Sequence, residues 1–355
     1  MLAVNYRLSC RGLTVKIEEI SIGRLLVRQR QFTRGDELAS GYHLVICAVS
    51  WESRNCTAIE SVGPISAPTV LIRFESSKAD ADRAKDTNQT KLMTLLPNHE
   101  VLRLNRSTDF EANSERLQTL LRDRFVRCGR PLRVLIDITC MPKSYIGFLC
   151  GLGFSNDYVC RIDCLYSEGV YALSGVGDSG GPRSIISEGE WTSLQIPYLE
   201  ASNIFSSERD LIVTLGGEIG YSLPFIERYE PSRLSIIFIK DGIDVPSLAG
   251  SELAAYRDLT SDPRLDRADI RIDDIVGVLA HVHAFCAADP ARSVVGLAIG
   301  SKAQSLALAL AALDLENLEV VCRVPSAYSS KDVSPTGRLF LYEVEDRFEP
   351  MAYFD

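Results

Sequence analysis

Short apolar runs alternate with amphipathic stretches along nearly the whole chain, and this alternation restricts the fold more than any other feature. In the second half, β-rich runs fall at 211–215, 234–239, 268–272, 294–299 and 320–324. Helical patterns lie between them, at 221–229, 248–259, 274–288 and 302–313. The first half behaves alike, with strands expected at 44–49, 69–74, 101–104, 132–138 and 161–166. Its helices are expected at 53–61, 79–96, 110–126 and 142–153. A short strand that is apolar throughout, rather than at every second position, is buried on both faces. Such strands separated by helices imply βαβ units, and hence parallel sheets covered by helices on both sides. The expected fold class is α/β, with two Rossmann-like parallel-sheet domains in tandem.

The halves also resemble each other. LVICAVSWESRNCTAIE (44–60) aligns without a gap on LIVTLGGEIGYSLPFIE (211–227). VLIDITCMPKSYIGFL (134–149) aligns on VVGLAIGSKAQSLAL (294–308) if the second loop is about two residues shorter. Each half then reaches a strand ending in Tyr-Ser, at Tyr166-Ser167 and Tyr328-Ser329. An element order that repeats in full points to an internal duplication. Residues 1–41 read as a β-rich extension, 42–173 as the first domain, 174–207 as a Gly/Ser-rich linker and 208–355 as the second domain.

The linker contains GDSGGP (177–182), the stretch that surrounds the nucleophilic serine of trypsin-like proteases. That chemistry needs a histidine base and an orienting carboxylate between two antiparallel barrels. The four histidines, His43, His99, His281 and His283, lie in no matching context, and more than 170 residues of α/β pattern follow. The hexamer is a linker.

Composition narrows the function. A formal net charge of −9 argues against a bulk nucleic-acid binder but leaves room for a local anion pocket. The basic cluster Arg24, Arg28, Arg30 and Arg34 reads as a solvated face. No apolar run reaches the roughly 18 residues needed to span a bilayer. The N-terminal stretch lacks the h-region of a signal peptide. A cytoplasmic protein with no membrane contact is therefore expected. The ten cysteines show no C-x-x-C spacing and fall mostly in apolar runs, so reduced buried thiols are expected and no metal or cofactor.

In open parallel sheets ligands bind at the carboxyl ends of strands. Four loops there hold the candidate residues. Ser50, Trp51, Glu52 and Arg54 follow the first strand of the first half; Glu52 and Arg54 can pair with each other, and Trp51 can stack on a base or serve an interface. Asp137, Thr139 and Lys143 follow its fourth strand, with Pro142 at the helix start. Thr214, Gly216 and Gly217 follow the first strand of the second half in a loop that matches neither a dinucleotide fingerprint nor a Walker A loop. Gly300, Ser301 and Lys302 follow its fourth strand, where Ser301 is a good N-cap. Lys302 in the first helical turn conflicts with the helix dipole, which an anion held there would relieve.

IDITCMPKSYIGF and IGSKAQSLALALAA resemble the second motif of CARF domains, the CRISPR-associated Rossmann fold, in which Asp-h-Thr, small residues and Lys open an apolar helix. The first keeps Asp137, Thr139 and Lys143 but has Cys140, Met141 and Pro142 in place of glycines; the second keeps Gly300, Ser301 and Lys302 but lacks the Asp. TLGGEIGYSLPFIERYEP (214–231) resembles the family's other loop. The resemblance implies a sensor of a bacterial antiviral defence system that binds a nucleotide second messenger between paired Rossmann-like halves. Only a strand expected at 338–345 and a short tail follow the second half, so the effector is expected to be a separate protein. Pairing within the chain and pairing of two copies as a homodimer both remain open. Two other readings compete. One is an enzyme acting on a nucleotide or phosphorylated metabolite, with Asp137, Glu52 or Glu218 as general base, although no residue is placed as catalytic. The other is a non-catalytic interaction subunit of a defence complex.

Overall fold

The structure is a computed structural model. It describes residues 5–8, 16–75, 78–170, 187–202, 208–215, 222–240, 250–328 and 331–347. GDSGGP, Gly216, Gly217 and Glu218 lie outside the described residues.

The first half alternates β4 (Leu44–Val49), α1 (Thr57–Val62), β5 (Thr69–Phe74), α2 (Ala79–Leu95), β6 (His99–Leu104), α3 (Phe110–Cys128), β7 (Leu132–Asp137), α4 (Lys143–Ser155) and β8 (Val159–Gly169). The second half alternates β10 (Arg209–Leu215), α5 (Leu223–Tyr229), β11 (Leu234–Ile239), α6 (Gly250–Ser261), β12 (Leu265–Ile270), α7 (Ile275–Ala287), β13 (Ser293–Ala298), α8 (Lys302–Ala312) and β14 (Leu318–Tyr328). The parallel strands run β8-β7-β4-β5-β6 in one sheet and β14-β13-β10-β11-β12 in the other. Counted within each half, both orders are 3-2-1-4-5, the Rossmann order with its reversal point beside the first strand. The α/β class with Rossmann-like parallel sheets is thus observed. Register sharpens the alignment of the halves: Leu44 pairs with Val134 and Leu211 with Val295. Loop 138–142 is therefore two residues longer than loop 299–301.

Side chains alternate between the faces of each strand, so every central strand feeds two cores. Val45, Cys47 and Leu71 pack outward with Ile59 and Leu92. Leu211, Val213 and Ile236 do the same with Ile226 and Leu259. The opposite faces share one core, in which Ile46, Val134 and Ile212 lie with the apolar sides of α3, α4, α7 and α8. Residues 144–154 of α4 and 303–311 of α8 are all buried, because each helix lies between the two sheets. Small residues allow the approach: a Cβ on Gly147 would sit 3.4 Å from Leu199 Cδ1 and 3.8 Å from Ala309 Cβ.

Strands outside the alternation tie the halves together. β9 (Ser187–Gln195) follows β8 in the chain but pairs antiparallel with β14. β15 (Pro335–Asp346) follows β14 but pairs antiparallel with β8. Each half thus covers the open edge of the other's fifth strand, an edge that would otherwise expose unpaired backbone. On its far side β15 takes β3 (Leu25–Phe32), which pairs with β2 (Lys16–Ile22), and β2 pairs with β1 (Asn5–Leu8). The β2–β3 turn uses Gly23 at φ +47. The exchange differs from the expected boundaries: the stretch read as linker (174–207) contains a strand of the second sheet, and the end of 208–355 belongs to the first. The reason is that strand pairing depends on which edge is open, not on proximity in the chain. Residues 1–41, read as an extension, widen the first sheet through β2 and β3.

The described cysteines are free thiols, most of them buried. No described helix is long and apolar enough to cross a membrane.

Candidate functional site

The loop after β4 is held from three sides. Asn55 Oδ1 accepts from the Ser50 N–H at 3.1 Å, and Asn55 Nδ2 donates to the Ala48 carbonyl at 2.7 Å. Asn88 on α2 donates to the carbonyls of Ser50 and Glu52, at 2.8 and 3.0 Å. The Ser53 N–H donates to Asp332 Oδ1 at 2.6 Å, just ahead of β15. Within this frame Arg54 is fully buried, donating from Nε to Glu52 Oε2 at 2.7 Å and from Nη1 to the Ser167 carbonyl at 3.2 Å. The expected Glu52–Arg54 pair is formed. Trp51 Nε1 donates to the Lys331 carbonyl at 3.0 Å, and Lys85 Nζ lies 5.6 Å from its ring centroid. Ser50 and Trp51 therefore serve the packing of this loop against α2 and the strand that follows.

After β7, Asp137 is buried and accepts the Thr139 N–H at 2.9 Å. Thr139 Oγ1 in turn accepts from the Ser167 N–H at 2.9 Å. Burial pushes the Asp137 carboxyl up to about 6, against the pull of Thr139 and the charges of Arg54 and Lys302. Asp137 fixes the loop conformation. Pro142 is the N-cap rather than the first helical residue, with extended backbone at ψ 144, so α4 opens on Lys143 itself.

In the second half, Thr214 at the end of β10 accepts the Gly300 N–H at 3.2 Å through Oγ1 and donates to the Leu297 carbonyl at 3.3 Å. Ser301 caps α8 in a complete capping box: its Oγ accepts from the Gln304 N–H at 3.1 Å, and Gln304 Oε1 accepts from the Ser301 N–H at 2.9 Å. A Cβ on Gly300 would fall 2.0 Å from Gln304 Oε1, so only glycine leaves room for that fold-back.

The two helix-opening lysines meet at the join of the halves. Lys143 Nζ donates to the Ile299 carbonyl, across the join. Lys302 lies within the fields of Arg54, Glu52, Cys140 and Lys143, all of the first half. Burial and the Arg54 guanidinium push Lys302 down to about 8, with Glu52 opposing. Among the described residues Lys302 makes no hydrogen bond and no ion pair. Glu52, Arg54, Asp137, Lys143, Gly300, Ser301 and Lys302 thus come to one place, while Ser50 and Trp51 turn to other partners. Arg54, Lys143, Lys302 and the amino ends of α4 and α8 gather there with two carboxylates, Asp137 and the Glu52 paired to Arg54, so cations outnumber carboxylates, which suits a small anion. Sequence reasoning missed Asn55, Asn88 and Gln304, which build the loops. Gln304 alone had a readable signal, since Ser301-x-x-Gln304 is a capping-box spacing.

No protein-family model matches the chain, and no curated protein matches it. Among solved structures, the cytoplasmic domain of a prokaryotic cation chloride cotransporter is similar at 8% identity and a TM-score of 0.24, over 80% of this chain and 96% of that one. A universal stress protein from Archaeoglobus fulgidus is similar at 8% identity and a TM-score of 0.20, over 81% of this chain and 97% of that one. A keto acid-selecting NRPS module is similar at 10% identity and a TM-score of 0.19, over 78% of this chain and 28% of that one. At these scores the likenesses carry no argument about activity.

Proposed function

We propose that the chain is a nucleotide-sensing regulatory protein, binding an anionic nucleotide at the join of its two Rossmann-like halves and passing the signal to a separate effector protein. The observation that carries the anion-binding part is Lys302. It opens α8, where the helix dipole disfavours a cation, and it lies beside Arg54 and Lys143 with no hydrogen bond to a described residue. A phosphate placed there would relieve all three conflicts. Each half supplies a lysine, so the site needs both halves. The second-messenger class and the antiviral context rest on the CARF-like text of 136–148 and 299–312. Against the enzymatic reading, Glu52 holds Arg54 and Asp137 holds the Thr139 N–H, so neither carboxylate is placed as a general base.

The test is thermal unfolding of the protein against a panel of linear and cyclic nucleotides. A ligand at 100 times its Kd adds about 2.7 kcal/mol of stability, a clear shift. Lys302→Ala is expected to abolish the shift and to leave the ligand-free protein folded. Absence of a shift with every nucleotide, or a shift that Lys302→Ala leaves intact, would sink the proposal.

A further inference from the structure

Away from the join, the amino-terminal edge of the first sheet gathers cations. His43 directly precedes β4, Arg133 is the second residue of β7, and Arg130 lies in the turn after α3. The length of β4, at about 3.3 Å per residue, puts roughly 20 Å between this edge and the join. The Arg133 backbone N–H donates to His43 Nδ1 at 2.9 Å. A ring nitrogen that accepts carries no proton, so neutral His43 holds its proton on Nε2. Arg130 Nη2 lies 3.1 Å from that same Nε2. A guanidinium has only donors, so two donors face each other with nothing to accept. Burial, Arg130 and Arg133 all push His43 below the usual histidine range, which keeps it in this neutral form. Neither arginine makes an ion pair among the described residues. Asp346, whose charge reaches nearby Cys160 along with theirs, pairs with Arg24 at 3.1 Å.

The second half shows the same level neutralised. The gapless alignment of β4 on β10 sets His43 beside Asp210, which is fully buried. Asp210 accepts from Arg233 Nε at 2.8 Å and pairs with Arg292 at 3.4 Å. Arg292 also meets Glu208 at 2.5 Å and Asp289 at 2.9 Å. There the cations have their carboxylates built in; in the first half the carboxylate position is a histidine.

We propose that His43, Arg130 and Arg133 form an oxyanion site that takes the phosphate group of a small molecule. Its oxygens accept from His43 Nε2–H and from both guanidiniums, which suit phosphate geometry. The site is separate from the join and does not depend on the reading given to it.

The experiment titrates the full chain with inorganic phosphate and with ribose 5-phosphate, by calorimetry and by nitrogen NMR of labelled histidines. At least one is expected to bind, with His43 in the Nε2–H tautomer. Arg130 is exposed, so Arg130→Gln should leave the phosphate-free unfolding curve unchanged while weakening binding about tenfold or more, the loss of one charge-assisted hydrogen bond. The titrations are repeated on the Lys302→Ala protein, in which the join no longer takes phosphate; the binding seen at the His43 nitrogens, and its weakening by Arg130→Gln, should persist there. Tighter binding of ribose 5-phosphate identifies a phosphoester as the ligand; equal binding identifies the free ion. The proposal is overturned by absence of heat with both probes, by an affinity that Arg130→Gln does not change, or by a His43 proton found on Nδ1.

Discussion

The two halves open the same helix with the same residue and hold it by different means. In the first half the loop 138–142 is fixed by a buried carboxylate, Asp137, and α4 has no side-chain cap. In the second half the shorter loop 299–301 is fixed by a capping box and no acid. The longer loop delivers Lys143 to a carbonyl of the other half, whereas the shorter one leaves Lys302 against Arg54 without a described hydrogen bond. The repeated architecture thus puts a lysine at the same point of each half in different surroundings. One lysine ties the halves, and the other makes no hydrogen bond to a described residue.

Five changes break or sharpen this contrast. The largest effect is expected from Glu52→Gln, which leaves the fully buried Arg54 without its carboxylate; removing one partner of such a pair costs about 3–5 kcal/mol, read by chemical denaturation. The second concerns Lys302, whose pKa falls from 10.5 to about 8 on folding. A lowered lysine burdens the folded state while both states are charged, so stability should rise as pH climbs from about 8 to about 10.5. Lys85, also pushed down to about 8 by burial, contributes in the same window. Lys302→Met should therefore flatten the rise in part, and an unchanged profile would show that Lys302 is already fully solvated. Third, Gly151→Leu on α4 should cost about 1–3 kcal/mol by overpacking, because a Cβ there already lies 3.1 Å from Tyr198 Cβ and 3.2 Å from the Pro197 carbonyl. A neutral result would mean that the packing against 196–199 is looser than described. Fourth, Ser301→Ala removes the capping box for about 1 kcal/mol in a thermal melt. Pro142→Ala in the other half, where no side chain caps the helix, should cost less.

The sequence by itself determined the order of strands and helices, the central parallel strands and the matching of Lys143 with Lys302. These follow from periodicity and burial, which are local: LVICAV is apolar at every position because both of its faces are covered. The Glu52–Arg54 pair was legible for the same reason, since its members lie two residues apart. Only the tertiary structure decided the exchange of β9 and β15, the carbonyl that Lys143 reaches and the neighbours of Lys302. β15 pairs Glu343 with Arg28, and β9 pairs Leu194 with Cys322, contacts between residues more than a hundred positions apart. No local pattern names such a partner, because an edge strand is apolar or polar in the same way whichever edge it joins. The cluster at His43 was hidden likewise. Its residues are scattered between 43 and 133, and its character comes from a histidine standing where the other half has the carboxylate of Asp210.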